Sequence, residues 1–430
     1  MSDRARIVGA DKRRVWHPYT PMQDYVERTE PLCISEARGA RLYDADGRSY
    51  LDGNSSWWTA ALGHGHPRLV RALCRQAEAM SHVPLAGIAH EPAALLAEEL
   101  VAVAPEGLER VFFSDDGSTA VEVALKLSLQ YWQQNGRPSR TRFVALGGAF
   151  HGETLGASAL GGVEVFRRPF ASVLLDCIHV PVDASGHERA FRSLARVLDE
   201  SRDTLAAVVL EPVVQGAAGM RMYPPELLTK AAELAREADV FLVLDEVFTG
   251  YGRTGPMWAL QHAGVRPDML CTAKAFSGGM LPMAATLVSE RVFEGFLGDA
   301  SRAFYYGHTY CGNPLGAAVA REVLAVYRDE RILERARPKA PRIAAAFARL
   351  GDLAGVTNVR CLGMIGALDL GGGEGYLAGS GWRVYAEALR RGAYVRPLGN
   401  VVYVAPPLNI DDAELDELLA IVDESVRAVL

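Results

Sequence analysis

The sequence has no long apolar run, no basic tract and no paired cysteines, and each absence excludes a class of protein. Its 430 residues contain no uninterrupted apolar stretch long enough to span a bilayer. The 45 lysines and arginines are spread among 52 acidic residues, so we expect neither nucleic acid nor an anionic membrane as a partner. The N-terminus leads into polar residues without the apolar segment of a signal peptide. We therefore expect a cytoplasmic protein.

The six cysteines are scattered and show no C-x-x-C spacing, which favours reduced thiols over disulfides or zinc. The histidines at 64, 66 and 82 lack carboxylate or cysteine neighbours at ligand spacing, so we expect no metal site. The chain is 49% hydrophobic and 23% charged, as in globular proteins, and its length allows two domains.

The middle of the chain alternates short apolar runs with amphipathic helical stretches. Helices are predicted over 118–134 and from Pro224-Pro225 onward. The apolar runs read as buried strands at 111–113, 142–146, 206–210, 241–245 and 269–273. This rhythm predicts an α/β fold with a mostly parallel sheet and helices on both faces.

The two ends of the chain have a different pattern. Residues 31–52 resemble a hairpin with a turn at Asp46-Gly47, and an amphipathic helix begins at Asp411-Asp412. We expect both termini to build a smaller α+β domain, with its N-terminal part in 1–65 and its C-terminal part in 316–430. Residues 66–315 would form the large domain.

Two strand ends carry single charged groups. Asp245 closes the apolar run 241–245, and Lys274 follows the run 269–273. Ligands of open α/β sheets bind beyond the carboxyl ends of the strands, so both side chains would project into one crevice. A lysine there can form a Schiff base with a carbonyl, and an aspartate can hold a pyridine nitrogen protonated, as pyridoxal phosphate chemistry requires. For either residue alone, a structural ion pair is the alternative.

Other segments also lie at or after the ends of predicted strands. Ser114–Ala120 falls between a strand and a helix, where free N–H groups and the Ser118 hydroxyl would cradle an anion, although a helix cap needs the same residues. The aromatic residue of Phe150-His151-Gly152 could stack on a flat ring or simply pack in the core. Glu211 ends another strand, and Gly307-His308-Thr309 belongs to a later loop.

Together these segments resemble the class III aminotransferases of the fold type I family, which use pyridoxal phosphate. The resemblance covers nearly the whole chain and follows the family's order of motifs. The motifs are Asp115-Asp116-Gly117-Ser118, Phe150-His151-Gly152, Glu211–Gly216, Leu244–Gly255, Lys274 and Gly312-Asn313-Pro314-Leu315.

The resemblance implies a residue for each part of a cofactor site. Lys274 would be the Schiff-base lysine and Asp245 the partner of the pyridine nitrogen. Gly117 and Ser118 would hold the phosphate, and Phe150 would lie on the ring. The remaining implied cofactor contacts are His151, Glu211, His308 and Thr309. Because Thr309, with His308, would reach the phosphate of a neighbouring subunit, the resemblance also implies a homodimer with shared active sites.

A narrower set of segments resembles one branch of this class, which converts 8-amino-7-oxononanoate to 7,8-diaminononanoate in biotin synthesis. The segments are Trp16–Tyr19, Ser55-Ser56-Trp57-Trp58, Met80–Val83, Gly219–Tyr223 and Val395–Gly399. The branch implies S-adenosyl-L-methionine as the amino donor, while lysine is used by some relatives.

The chemistry of these segments suits such substrates. Indole faces attract a sulfonium or ammonium group, and a guanidinium such as Arg396 binds carboxylates bidentately. For the paired tryptophans, the alternative is an aromatic pair in the core or at a dimer interface. For Arg396, the alternative is an ordinary surface charge. The predicted substrate-binding residues are Trp57, Trp58, Tyr19, Phe150, Gly307, Arg396 and Tyr403, and Tyr19 joins Lys274 and Asp245 as predicted catalytic residues.

Three residues depart from the family pattern. Phe150 replaces the usual tyrosine, Glu153 replaces an aspartate, and His308 stands where users of adenosylmethionine often have proline. All three are expected near the cofactor or the donor, so lysine remains an alternative donor. Another ω-aminotransferase, an aminomutase and a catalytically silent regulator also stay open, although the tryptophan pair argues against the first and the retained Lys274 and Asp245 against the last.

Overall fold

The N-terminal part of the chain forms two helices and a meander of three strands. In a computed structural model, which describes residues 3–182, 187–371, 373 and 375–430, the helices are Asp3–Arg14 and Met22–Glu27. The strands are β1 (Ile34–Arg38), β2 (Arg41–Asp44) and β3 (Ser49–Asp52), paired antiparallel in this order. The predicted hairpin is confirmed: Gly47 takes the left-handed conformation at its turn.

The central part supplies nine strands. They are β4 (Leu108–Ser114), β5 (Arg142–Leu146), β6 (Cys177–Val180), β7 (Leu205–Leu210), β8 (Val214–Gln215), β9 (Arg221–Met222), β10 (Phe241–Asp245), β11 (Met269–Thr272) and β12 (Ala284–Ser289). The helices around them are Pro67–Ala79, Glu91–Val103, Gly117–Gln134, Leu155–Leu160, Glu164–Arg167, His187–Ser201, Pro225–Glu237 and Glu290–Glu294. Short 3₁₀ helices lie at Arg168–Val173, Ala259–His262, Lys274–Ser277 and Ala300–Arg302.

Seven of these strands form the central sheet, in the order β4-β12-β11-β10-β7-β5-β6. Only β12 runs against the others in this sheet, as its antiparallel pairing with β11 and β4 shows. Every residue of β7 and β10 is buried, as expected for parallel strands covered by helices on both faces. The predicted mostly parallel sheet is therefore confirmed.

The C-terminal part returns to the N-terminal meander. Its strands are β13 (Val356–Leu362), β14 (Ile365–Leu370), β15 (Ala393–Tyr394) and β16 (Val401–Val404). Its helices are Pro314–Asp329, Ile332–Ala336, Ala340–Gly351, Ser380–Arg391 and Asp412–Val429, with a 3₁₀ turn at Arg337–Lys339. Strand β15 pairs parallel with β3, so the two ends of the chain share one four-stranded sheet.

The differences from the predicted elements are small. The run predicted over 111–113 extends to the whole of β4, and the run 269–273 ends one residue earlier, at Thr272. Within the described part of the chain, no helix is long and apolar enough to cross a membrane.

Candidate active site

A cavity of about 730 Å³ opens at the carboxyl edge of the central sheet. Strands β10 and β11 are adjacent and parallel, so Asp245 and Lys274 face it together, as the strand-end rule predicts. The predicted site residues that line it are Tyr19, Trp57, Trp58, Gly117, Ser118, Phe150, His151, Glu211, Asp245 and Lys274. Predicted residues that do not line it are Gly307, His308, Thr309, Arg396 and Tyr403.

Lys274 presents a free amine to the cavity. Its Nζ lies 4.8 Å from the centre of the Trp58 ring, and among the described residues it has no hydrogen-bond or ion-pair partner. Burial lowers the pKa of the Lys274 amine, while the nearby carboxylates of Asp245 and Glu211 oppose this shift. Lys274 therefore forms no structural ion pair, and its amine is available as a nucleophile or base. Asp245, in contrast, does pair with a buried histidine, His151.

Asp245 is held from behind by a buried histidine. The His151 Nδ1 donates to Asp245 Oδ2 over 2.7 Å, and the Val247 N–H donates to Oδ1 over 3.0 Å. Burial alone would lower the pKa of His151, but the hydrogen bond and charge of Asp245 outweigh it and raise that pKa. His151 thus orients the carboxylate, which keeps lone pairs free for a group in the cavity.

Glu211 holds the loop that carries Phe150. Its carboxylate accepts the Phe150 N–H over 3.0 Å and the Gly216 N–H over 2.8 Å. Burial raises the pKa of Glu211 to about 7, an effect that the charge of His151 opposes. Glu211 therefore sets the position of the aromatic residue beside the cavity.

An anion cradle lies at the start of the helix Gly117–Gln134. Asp116 caps this helix by accepting the Thr119 N–H over 2.9 Å, while the first-turn N–H groups have no partner within the helix. A Cβ on Gly117 would lie 2.7 Å from Val247 Cγ1, and one on Gly152 would collide with Ser118. The two glycines keep the cradle open to a phosphate.

These residues fit pyridoxal phosphate. Lys274 offers an unpaired amine, Asp245 an oriented carboxylate, and the Gly117–Ser118 turn an anion site, all on one cavity. Phe150 adds an aromatic face to the same cavity.

The other end of the cavity is aromatic and is built on an unusual turn. Ser55, Ser56, Trp57 and Trp58 have φ values of 48°, 45°, 63° and 72°, which make one left-handed helical turn. Each non-glycine residue in this conformation costs roughly 1–2 kcal/mol. The turn directs both indoles to the cavity.

Tyr403, which the sequence predicts to line the cavity, instead lies behind this turn and supports it. The Trp58 Nε1 donates to the Tyr403 hydroxyl over 3.1 Å, and Tyr403 is buried. A tyrosine so placed orients the indole of Trp58.

Arg396 lies next to the cavity between two indoles. Its guanidinium carbon is 5.0 Å from the centre of the Trp57 ring and 5.4 Å from that of Trp382. Among the described residues its side chain has no hydrogen-bond or ion-pair partner. Since the rings cover its faces, its in-plane N–H groups are free for a carboxylate. Trp382 was missed from the sequence, because no motif surrounds it.

Tyr19 and Glu153 meet across the mouth of the cavity. The Tyr19 hydroxyl donates to Glu153 Oε1 over 2.8 Å, and the Tyr19 ring is 5.4 Å from the Trp57 ring. Burial, and then the hydrogen bond to Glu153, raise the pKa of Tyr19, so its proton stays in place at neutral pH. Glu153, noted in the sequence only as a departure, also lines the cavity.

The loop 307–309 lies outside the cavity of its own chain. Gly307 and Thr309 are exposed, and His308 Nδ1 donates to Asp115 Oδ2 over 2.7 Å. The Tyr306 hydroxyl donates to His308 Nε2 over 2.9 Å. Ligand atoms of Asp115, His308 and Cys311 lie within 4.8 Å of one another, but these hydrogen bonds occupy both ring nitrogens.

Three further aromatic residues line the cavity and are not among the predicted site residues, although one of them belongs to the motif Leu244–Gly255. They are Phe166, Phe248 and Tyr376. Phe166 contacts the rings of Tyr19, Phe150 and Tyr376, and these partners come from distant parts of the chain.

The fold and the site together define a class of enzyme. The family profile described as Aminotransferase class-III matches residues 23–426, and the chain belongs to this family of pyridoxal-phosphate-dependent aminotransferases. The predicted family and architecture are confirmed.

Individual relatives are described more specifically than the family profile. The chain is 42% identical to the adenosylmethionine-8-amino-7-oxononanoate aminotransferase of Nitratidesulfovibrio vulgaris, over 100% of this chain and 83% of the relative. A crystal structure of the enzyme of that name from Methanocaldococcus jannaschii superposes with a TM-score of 0.96 at 34% identity, covering 99% of both chains. An omega transaminase from Pseudomonas jessenii in complex with PMP has a TM-score of 0.92 at 28% identity, covering 98% of both chains.

Proposed function

We propose that this enzyme transfers an amino group from S-adenosyl-L-methionine to 8-amino-7-oxononanoate, giving 7,8-diaminononanoate in biotin synthesis. One observation carries the proposal: an unpaired amine, Lys274, and an unpaired guanidinium, Arg396, flank a pocket walled by Trp57 and Trp58. An acceptor with a reactive ketone, an alkyl chain and a distal carboxylate matches this arrangement. Two of the three relatives named above, those from Nitratidesulfovibrio vulgaris and Methanocaldococcus jannaschii, carry the same activity in their names.

Pyridoxal phosphate supplies a conjugated ring that accepts the electron pair left when a proton leaves the donor carbon. Lys274 would hold the cofactor and then, once released, move the proton between donor and cofactor carbons. Asp245, oriented by His151, would keep the ring nitrogen protonated. Gly117 and Ser118 would bind the phosphate.

The aromatic end would bind both substrates in turn. The indole faces of Trp57 and Trp58 suit the sulfonium of the donor and the alkyl chain of the acceptor. The Arg396 edge would bind the acceptor carboxylate bidentately. Tyr19 and Glu153 would close the mouth, and this carboxylate offers a partner for a substrate ammonium group.

Three finer features belong to the same proposal. The enzyme would work in the cytoplasm as a homodimer, in which Thr309 of each subunit, on the loop that also carries His308, reaches the phosphate site of the other. The His308 ring is hydrogen-bonded through both nitrogens within its own chain. Thr309 is exposed in the single chain, which leaves it free for such a contact. Residues 66–315 would form the large domain, with 1–65 and 316–430 forming the small one.

A donor screen tests the proposal. Purified enzyme with pyridoxal phosphate is mixed with S-adenosyl-L-methionine, lysine or ornithine in the absence of acceptor, and conversion of the cofactor to its amine form is followed by absorbance. We expect rapid conversion by S-adenosyl-L-methionine. Adding 8-amino-7-oxononanoate should then return the cofactor to its aldehyde form. Conversion by lysine alone would move the proposal to the lysine-dependent reaction. A ketone without the carboxylate is the matched control and should react poorly.

A further inference from the structure

The segment Asp52–Trp58 connects the aromatic residues of the cavity to one another. The side-chain oxygen of Asn54 accepts the backbone N–H of Arg396 over 2.5 Å, and its side-chain nitrogen donates to the Tyr403 carbonyl over 3.3 Å. Trp57 stacks near Arg396, and Trp58 donates to the Tyr403 hydroxyl. A change in the backbone of this segment would therefore move several predicted substrate contacts together.

The left-handed turn in this segment needs support from outside. Inside it, the Trp58 N–H donates to the Asn54 carbonyl over 2.8 Å, as in any helical turn. Both serine hydroxyls are directed outward: Ser55 donates to the Ala405 carbonyl over 2.7 Å, and Ser56 donates to Asp52 Oδ2 over 2.8 Å. Four successive non-glycine residues disfavour this conformation, so these bonds oppose its relaxation.

Asp52, which accepts the Ser56 hydroxyl, connects the turn to strand β3. It ends strand β3, its side chain is fully buried, and it does not line the cavity. Its Oδ2 also accepts a hydrogen bond from His64 Nε2 over 2.9 Å. The backbone of His64 is itself paired with Gly39 in both directions, at 2.8 and 3.0 Å. The carboxylate thus joins a rigid sheet to the strained turn.

We propose that Asp52 is a positioning residue for substrate binding: acting through Ser56 and oriented by His64, it holds the turn Ser55–Trp58 left-handed and so sets both indoles against the substrates. The proposal rests on the proposed function only for the identity of those substrates. The competing explanation is that Asp52 merely stabilises the small sheet.

Asp44 provides a matched control for that explanation. It ends the neighbouring strand β2 and is also buried, at 8% exposure against 1% for Asp52. Its carboxylate accepts the N–H groups of Asp46 and Arg48 over 3.0 and 2.8 Å and the Tyr50 hydroxyl over 2.9 Å. It therefore holds a turn of the same sheet without any contact to the cavity.

The first test compares Asp52→Asn with Asp44→Asn in the holoenzyme. We expect Asp52→Asn to raise the KM for the acceptor about tenfold or more, on the order expected for a lost buried charge-assisted hydrogen bond, with kcat changed less than threefold. Asp44→Asn should lower thermal stability and leave the KM within about twofold. Equal changes of KM in the two variants would overturn the proposal.

The second test does not depend on any substrate. Near-ultraviolet circular dichroism of the holoenzyme reports how the indoles are packed. We expect Asp52→Asn to change the tryptophan bands, and the change to disappear when Trp57 and Trp58 are both phenylalanine. A change that persists in that double variant would place the effect elsewhere. Because no turnover is measured, this result stands whether or not the proposed substrates are the right ones.

The third test uses the strain at Ser56. Ser56→Ala removes the hydroxyl but keeps a side chain for which positive φ is costly. Ser56→Gly removes the hydroxyl and also this cost, since glycine adopts positive φ freely. We expect Ser56→Ala to raise the acceptor KM about tenfold and Ser56→Gly to recover most of the wild-type value. If glycine is as damaging as alanine or worse, the hydroxyl does not act by opposing the strain, and the proposal fails.

Discussion

The two ends of the cavity are built on different principles. At the cofactor end, Lys274, Asp245 and Glu211 stand at the ends of adjacent buried strands. The two carboxylates are held by hydrogen bonds from nearby backbone and histidine groups. At the substrate end, the turn Ser55–Trp58 and the residue Arg396 come from opposite ends of the chain and meet through β3 and β15. The cofactor end is polar and enclosed by the sheet, while the substrate end is aromatic and in part exposed.

This difference separates chemistry from recognition. Proton transfer needs groups held within a hydrogen-bond length of the reacting atoms, which a seven-stranded sheet provides. Substrate recognition here uses ring faces and a guanidinium, whose energies are smaller and tolerate exposure: Trp57 is 40% exposed. Changes at the cofactor end should therefore abolish activity, whereas changes at the substrate end should shift affinity.

The largest effect is expected for Lys274→Ala. Loss of the cofactor lysine and of the general base should lower turnover by on the order of 10⁴-fold. Borohydride reduction of the wild type and peptide mapping should find the pyridoxyl group on Lys274, and its appearance on another lysine would refute the assignment. Lys126→Ala is a control, because Lys126 lies over Tyr306 outside the cavity.

The second effect concerns pH and the cofactor end alone. Because the pKa of Glu211 is raised from 4.5 to about 7, the folded state keeps a proton that the unfolded state loses as pH rises through this range. The free energy of unfolding of the cofactor-free protein should therefore fall between about pH 4.5 and 7, by roughly 3 kcal/mol from this group.

Denaturant titrations at several pH values measure this dependence. Glu211→Gln should reduce it, since the amide does not titrate, but not abolish it, because burial also raises the pKa of Glu246 to about 7. An unchanged slope in that variant would mean that other groups produce it.

The third effect is expected for Asp245→Asn. Loss of a buried charge-assisted hydrogen bond, about 1.5–3 kcal/mol, should weaken pyridoxal phosphate binding about 10- to 100-fold, with a still larger loss of turnover. Absorbance titration gives the affinity, and single-turnover rates give the chemistry. Near-normal single-turnover rates in this variant would show that Asp245 is not the partner of the ring nitrogen.

At the substrate end, Arg396→Ala should raise the acceptor KM about 10- to 100-fold and leave the donor half-reaction much less affected. Stopped-flow spectroscopy of the two half-reactions separates these effects. Arg396→Lys should recover the affinity only in part, because the planar fork is lost. Equal damage to both half-reactions would mean that Arg396 is structural.

The smallest effect is expected for Trp382→Ala. Removing one of the two rings that cover Arg396 costs about 0.5–1 kcal/mol at an exposed site, which should raise the acceptor KM about two- to fivefold. Phe293→Ala, which removes the ring beneath Arg110 outside the cavity, is the control and should leave the KM unchanged. A wild-type KM in Trp382→Ala would show that Trp57 alone holds the guanidinium.

Most of the cofactor end could be predicted from sequence. Asp245 and Lys274 each follow an apolar run, and parallel strands bring their carboxyl ends to one edge, so local patterns suffice to place the two side chains together. The cradle is equally local, since Asp116, Gly117 and Ser118 are consecutive. His151 was predicted to bind the cofactor, and the structure shows that its nearest polar contact is Asp245.

The substrate end shows where local patterns stop. Tyr19 and Glu153 are 134 positions apart, and no periodicity relates them. Nothing in Ser55-Ser56-Trp57-Trp58 indicates a left-handed turn, because its residues disfavour that conformation and partners outside the four residues, such as Asp52 and Ala405, hold it. Trp382 stands in an ordinary amphipathic helix.

Apolar strand patterns and single charged strand ends therefore predict the strands of the sheet and bring Asp245 and Lys274 together, since each pattern depends on neighbours in the chain. The class of enzyme follows from the family motifs around these two residues. The shape of the substrate end is decided by the pairing of β3 with β15, which joins the two ends of the chain. That pairing brings Asn54 to Arg396 and places Trp57 on its guanidinium. Contacts of this kind depend on the packing of whole elements, and no short stretch of sequence contains them.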